Sequence, residues 1–186
     1  SVMLSASKCL DWICGITNTS ITDTLKNVEN YFNDPVSVSN SSFFLPYLSG
    51  ERTPHNDPHI RGSFHAMKAT TEATNMQYAV IEGVSFGILD GVESILKVNN
   101  YFEKIFMVGG GSKSSLWIKL LASLLNRNLS VCDQSEYSAA LGVARLAMYT
   151  DENITNKNDI IKETKTSKNY SPSLNKTDML MKRNQI

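Results

Sequence analysis

Along the chain, stretches in which apolar residues recur every three or four positions alternate with short continuous apolar runs, the pattern of helices interleaved with strands. Residues 3–13 place Leu4, Cys9, Trp12 and Ile13 at roughly helical spacing, with Gly15 beyond them as a stop. A second helix is expected with Thr22 as its N-cap and Asp23 in its first turn, burying Leu25, Val28 and Phe32 and ending at Pro35. Residues 37–42 read as a polar connection. Residues 43–48, Phe-Phe-Leu-Pro-Tyr-Leu, read as a short strand whose Pro46 favours an edge or an exit. Residues 49–62 then carry Gly50, Pro54, Pro58 and Gly62 without periodicity, and loops of that length are often functional.

The longest helical pattern covers residues 71–98, through Met76, Ala79, Val80, Val84, Ile88, Val92, Ile95 and Leu96. Gly83, Gly87 and Gly91 are spaced four apart on one face of it, although each costs up to ~1 kcal/mol against alanine in a helix interior. Tight packing against a neighbouring backbone is the simpler reading, and close approach of a ligand the alternative. A buried strand at 104–108 runs into Gly109-Gly110-Gly111-Ser112. It is followed by a helix at 114–125, a turn at 126–128, a short strand at 129–132 and a small-residue helix at 139–149. Beyond residue 150 Lys, Asn, Thr, Ser and Asp dominate. The expectation there is at most one amphipathic helix around Ile160 and Ile161, then a loosely held tail. The chain thus divides into residues 1–150 and residues 151–186.

Composition narrows the classes. With 186 residues, 41% hydrophobic and 19% charged, the chain is long enough for one domain with a substantial core. Eighteen basic residues balance eighteen acidic ones, so no global field points to nucleic acid or a membrane surface as partner. No apolar run approaches the roughly 18–20 residues that span a bilayer. The opening Ser-Val-Met-Leu-Ser-Ala has no signal-peptide pattern and reads as a chain entered partway through an element. Cys9, Cys14 and Cys132 have no metal-binding spacing and read as reduced thiols of a cytoplasmic protein, a setting in which the Asn-x-Ser/Thr triplets, such as that at Asn18, are chance.

The strand–glycine–helix unit at 104–125 carries the chemistry. Glycine allows a sharp turn and lets an anion approach backbone N–H groups with no Cβ in the way. The helix start adds unpaired donors and the positive end of its dipole. Ser112, Ser114 and Ser115 add hydroxyls, and Lys113 a cation. The unit lacks the Gly-x-Gly-x-x-Gly spacing of dinucleotide sites and the Gly-Lys-Ser/Thr ending of a P-loop.

The order of these elements resembles the C-terminal domain of the FGGY carbohydrate kinases. The segment 45–56, Leu-Pro-Tyr-Leu-Ser-Gly-Glu-Arg-Thr-Pro-His-Asn, resembles the corresponding segment of the xylulokinases among them. The likeness continues through Arg61-Gly62, Glu82-Gly83, Gly109-Gly110-Gly111 and Ala140-Leu141-Gly142, and covers about residues 1–149. One departure is Ala66-Met67, where the family usually has Gly-Leu. The resemblance implies an α/β chain with the actin-like, ribonuclease-H-like fold, a mixed sheet flanked by helices. It implies ATP bound between two domains, with Mg²⁺ arriving with it. Gly110, Gly111 and Ser112 would face the nucleotide through backbone groups, Ser115 would lie near the adenosine, and Ser7 and Asp11 on the first helix would approach it.

The implied activity is phosphorylation of D-xylulose to D-xylulose 5-phosphate. Phosphoryl transfer needs a residue that accepts the sugar hydroxyl proton. In the family that base is an aspartate of the N-terminal domain, which also holds most of the sugar. No catalytic residue is therefore carried over, and the partners implied are that domain, a small sugar and a second subunit of a homodimer. The alternatives are a non-catalytic nucleotide-binding or regulatory module of the same fold, and a kinase for another sugar or polyol. Among other chemistry-bearing residues, Glu82 and Asp90 read as packing or surface carboxylates. His55, His59 and His65 with Asp57 lack fixed metal-ligand spacing, and Glu51, Arg52 and His55 read as groups that shape their loop.

Overall fold

The computed structural model describes residues 2–98, 102–133, 135–150, 156, 160 and 165–185. Helix α1 (Ser7–Thr17) buries Cys9, Leu10, Ile13 and Cys14 and runs through Gly15. Gly15 does not stop it. The stop is Asn18, left-handed at φ 52°, whose N–H closes onto the carbonyls of Cys14 and Gly15. Helix α2 (Ile21–Phe32) is capped by Ser20 and not by Thr22: the Ser20 hydroxyl accepts from the Asp23 N–H at 3.1 Å. Pro35 ends no helix directly; with Asp34 as cap it opens the short α3 (Pro35–Ser39), where its missing N–H costs nothing.

Strands β1 (Phe43–Leu45) and β2 (Ser63–His65) pair antiparallel, with Phe44 opposite Phe64. Between them Glu51 and Asp57 exchange backbone bonds at 2.9 and 2.8 Å, and the Glu51 carboxylate accepts from the N–H groups of Leu4 and Arg52 at 2.8 Å each. That buried carboxylate shapes the loop. Helix α4 (Ala73–Leu96) is the axis on which α1, α2 and β1 pack. Its glycine stripe is packing: a Cβ on Gly83 would stand 2.0 Å from the Phe44 carbonyl oxygen, and one on Gly91 3.0 Å from the Met3 sulfur.

The second half builds a three-stranded mixed sheet. Strand β3 (Phe106–Met107) pairs parallel with β4 (Leu129–Cys132), and α5 (Ser115–Leu125) makes the crossover that a parallel pair requires. Trp117 ties α5 to α4 through its indole N–H, which donates to the Ser85 hydroxyl at 2.9 Å. The expected buried strand at 104–108 is instead a two-residue edge. Phe106 is 41% exposed and Val108 52%, because β3 pairs on one side only. Helix α6 (Ser138–Thr150) buries none of its residues, and Val143 and Leu146 lie about two-thirds exposed at 67% and 68%.

The polar end of the chain is not a loose tail. Strand β5 (Thr166–Tyr170) pairs antiparallel with β4, and α7 (Leu174–Asn184) packs against α5, burying Thr177, Leu180 and Arg183. The helix expected around Ile160 and Ile161 falls mostly outside the described residues; Ile160 itself is buried. Cys9, Cys14 and Cys132 are buried and unpaired, and burial pushes the Cys9 thiol up to about 11. Among the described residues no helix is long and apolar enough to cross a membrane.

Candidate nucleotide site

The chain leaves β3 through Gly109, at φ 78°, a backbone that favours glycine. Residues Gly110–Lys113 then make one 3-10 turn, and Ser114 caps α5 by accepting from the Trp117 N–H at 3.2 Å. A Cβ added at Gly109, Gly110 or Gly111 would meet nothing within 4 Å among the described residues. Here, unlike on α4, glycine leaves open space. The N–H groups of Gly110 and Gly111 find no acceptor among the described residues, and the dipole of α5 begins immediately behind them. Open backbone donors at a helix start form an anion cradle.

A second turn fixes the first. Residues Ser135–Tyr137 lie beside the glycines, and the Gly109 N–H donates to the Ser135 carbonyl at 2.9 Å. The Ser112 hydroxyl donates to the Gly109 carbonyl and also bonds the Ser135 hydroxyl, both at 2.7 Å. Lys113 pairs with Glu136. This pairing, led by the hydrogen bond, raises the Lys113 ammonium above its ordinary range. Sequence reasoning missed this turn: it is a short polar stretch between strand and helix with no periodicity of its own.

Gly110, Gly111, Ser112 and Ser115 stand together on this feature, Ser112 buried with its hydroxyl turned inward and Ser115 exposed at the first position of α5. Ser7 and Asp11 lie one turn apart on the exposed side of α1, whose main packing partners are α4 and α2. No hydrogen bond among the described residues joins either to the glycine turn.

The remaining candidates are placed elsewhere. Glu82 is buried and bonded to Arg183 and Tyr78; burial lifts its carboxyl above the ordinary range while Arg183 pulls against it. Asp90 is raised by partial burial and by Glu93. His55 bonds the Tyr47 hydroxyl at 2.8 Å and His65 the Ser63 hydroxyl at 2.7 Å, while the His59 N–H donates to Asp57. Among the described residues no three His, Cys, Asp or Glu side chains stand close enough to hold a metal.

Residues 3–150 match the profile of the C-terminal domain of the FGGY family of carbohydrate kinases. The xylulose kinase of Escherichia coli K12 is 35% identical over 147 residues, 79% of this chain and 30% of that protein. The xylulose kinase of Bacillus subtilis is 31% identical over 150 residues, 80% of this chain and 29% of that protein. Among solved structures, a xyloylose kinase from Brucella ovis superposes with a TM-score of 0.82 at 30% identity, over 100% of this chain and 37% of that one. A ligand-bound xylulose kinase from Lactobacillus acidophilus gives 0.78 at 26% identity, over 98% of this chain and 37% of that one. The fold is that of these sugar kinases, actin-like and ribonuclease-H-like, and the chain spans about 30% of the length of the curated relatives it matches.

Proposed function

The chain belongs to the FGGY family of carbohydrate kinases, over that family's C-terminal domain, and on this premise we propose that it is the ATP-binding part of a kinase converting D-xylulose to D-xylulose 5-phosphate. The observation that carries the reading is the glycine turn. Open space at Gly110 and Gly111, acceptor-free N–H groups and the start of α5 fit the phosphates of a nucleotide. Ser115 would lie beside the adenosine, and Ser7 and Asp11 would reach it from α1. Xylulose is favoured among sugars by the names of the relatives and by the segment 45–56.

Mg²⁺ would be held by the nucleotide's own phosphates and would neutralise charge developing during transfer. Glu136, on the turn bound to the glycine turn, is engaged by Lys113. The proton-accepting aspartate and most of the sugar site belong to the N-terminal domain of such a kinase. The exposed apolar residues of α6, Leu141 and Met148 on one side and Val143 and Leu146 on the other, and the edge of β3 support a partner of that kind. Residues 1–150 form the nucleotide-binding unit, β5 and α7 brace it, and the protein works in the cytoplasm.

The test joins this chain to the N-terminal domain of a xylulokinase and measures ADP release. The expected result is ATP turnover that depends on D-xylulose. A combined protein that binds ATP yet phosphorylates no sugar would sink the kinase reading.

A further inference from the structure

We infer that Tyr137 is the platform on which the base of the bound nucleotide stacks, an assignment that rests on the nucleotide reading of the glycine turn. Tyr137 closes the 3-10 turn Ser135–Tyr137, and that turn is bound to the glycine turn at three successive points. The Gly109 N–H holds the Ser135 carbonyl, the Ser112 and Ser135 hydroxyls bond each other, and Lys113 pairs with Glu136. The ring is therefore carried on a support whose position relative to Gly110 and Gly111 is fixed by backbone and side chain together.

Several of the other large aromatic side chains engage one another. Trp12 stacks on Phe44 and Phe64, which meet each other tilted, Tyr31 and Phe32 lie against Tyr78, and Tyr47 meets His55 edge-on. Tyr137 takes part in no ring contact and no hydrogen bond among the described residues, and it is 62% exposed. Its neighbour in the turn, Glu136, pairs with Lys113, which sets residue 137 beside the cradle.

A nucleotide presents an anion at one end and a flat π surface at the other. Its receptor needs backbone donors and an available ring side by side, and these two turns supply both. Because Lys113 is committed to Glu136, the phosphates are left to the backbone of Gly110 and Gly111 and the base to the ring. Stacking makes no distinction among hydrogen-bonding edges, so Tyr137 supports adenine and guanine alike.

The experiment measures dissociation constants of ATP, GTP and inorganic tripolyphosphate by calorimetry for the chain and its Tyr137→Ala and Tyr137→Phe variants. Tyr137→Ala is expected to weaken ATP and GTP by roughly ten-fold or more. Tyr137→Phe should retain both, and tripolyphosphate should bind all three proteins alike. Equal ATP affinity in the alanine variant would overturn the platform and leave the nucleotide reading standing. A parallel loss of tripolyphosphate would overturn it too, since Tyr137 would then be acting on the shape of the cradle. If the unaltered chain binds tripolyphosphate but neither nucleotide, or binds none of them, the nucleotide reading and this inference fall together.

Discussion

Arg183 donates from Nε to Glu82 Oε1 at 2.7 Å and from Nη2 to Glu82 Oε2 at 2.6 Å, joining the end of α7 to the middle of α4. The pair is buried, with Arg183 6% exposed and Glu82 1%. Around it the Tyr78 hydroxyl donates to Glu82 at 2.8 Å, the Phe43 ring lies 4.2 Å beneath the guanidinium, and the Ser41 and Ser42 carbonyls accept from its remaining N–H groups. A polar C-terminal segment is thus fastened to the longest helix among the described residues by a charge pair.

Removing one partner of such a pair strands the other. Arg183→Ala is expected to cost about 3–5 kcal/mol in denaturant unfolding. The loss should also grow with pH. Burial holds the Glu82 carboxyl above its ordinary value, against the pull of Arg183. A raised acid is stabilising below the unfolded pKa, and that contribution is lost as pH rises through the folded pKa. Without Arg183 the folded pKa climbs further, so the variant should fall further behind the parent as pH rises above the ordinary carboxylate range. A pH-independent difference would show that Glu82 does not ionise in the folded chain.

Ala66 sits at φ 56°, in the left-handed region, at the position where the family resemblance places glycine. An L side chain there costs roughly 1–2 kcal/mol, and glycine returns part of that gain as unfolded-state entropy. Ala66→Gly should therefore stabilise by about 0.5–1 kcal/mol and raise Tm by about 1–4 °C. A lower melting temperature would contradict the left-handed assignment.

Glycine-to-alanine changes in two helices should have opposite signs. On α1, a Cβ at Gly15 meets nothing within 4 Å, so Gly15→Ala should recover about 0.5–1 kcal/mol of helix propensity. On α4, a Cβ at Gly83 would overlap the Phe44 carbonyl oxygen at 2.0 Å. Pushing β1 away should outweigh the propensity gain, with a net loss of about 1–3 kcal/mol. Parallel thermal melts decide it, and equal signs would refute the close approach of β1 to α4.

What could be read from the sequence was local. The glycine turn and α5 follow from neighbours a few positions apart, Gly109 to Gly111, then Trp117, Leu120 and Leu121 at helical spacing. Helix α7 was lost because much of what it buries is polar: Thr177 donates to the Ser123 carbonyl at 2.7 Å, and Arg183 finds its partner 101 residues away. The α2 cap falls on Ser20 and not on Thr22, since several Ser and Thr neighbours offer the same hydroxyl. The exposure of Phe106 depends on what lies beside β3, which no local pattern encodes. Ser7 and Asp11 rested on resemblance alone, and α1 carries them on a face with no hydrogen bond to the glycine turn.

The open space at the cradle separates binding from folding. A methyl group at Gly110 or Gly111 touches nothing among the described residues, so Gly110→Ala and Gly111→Ala should leave stability within about 0.5 kcal/mol of the parent. That methyl occupies the space through which a phosphate approaches the N–H groups, so both ATP and tripolyphosphate should weaken, by roughly ten-fold, one lost hydrogen bond to a charged group being worth about 1.5 kcal/mol or more. Gly109→Ala has the opposite profile. At φ 78° and ψ −168°, a region essentially confined to glycine, it should cost about 1–3 kcal/mol of stability whether or not ligand is present. Melting curves and tripolyphosphate titrations on the three variants test this together. Undiminished anion binding in both Gly110→Ala and Gly111→Ala would move the phosphates away from the glycine turn.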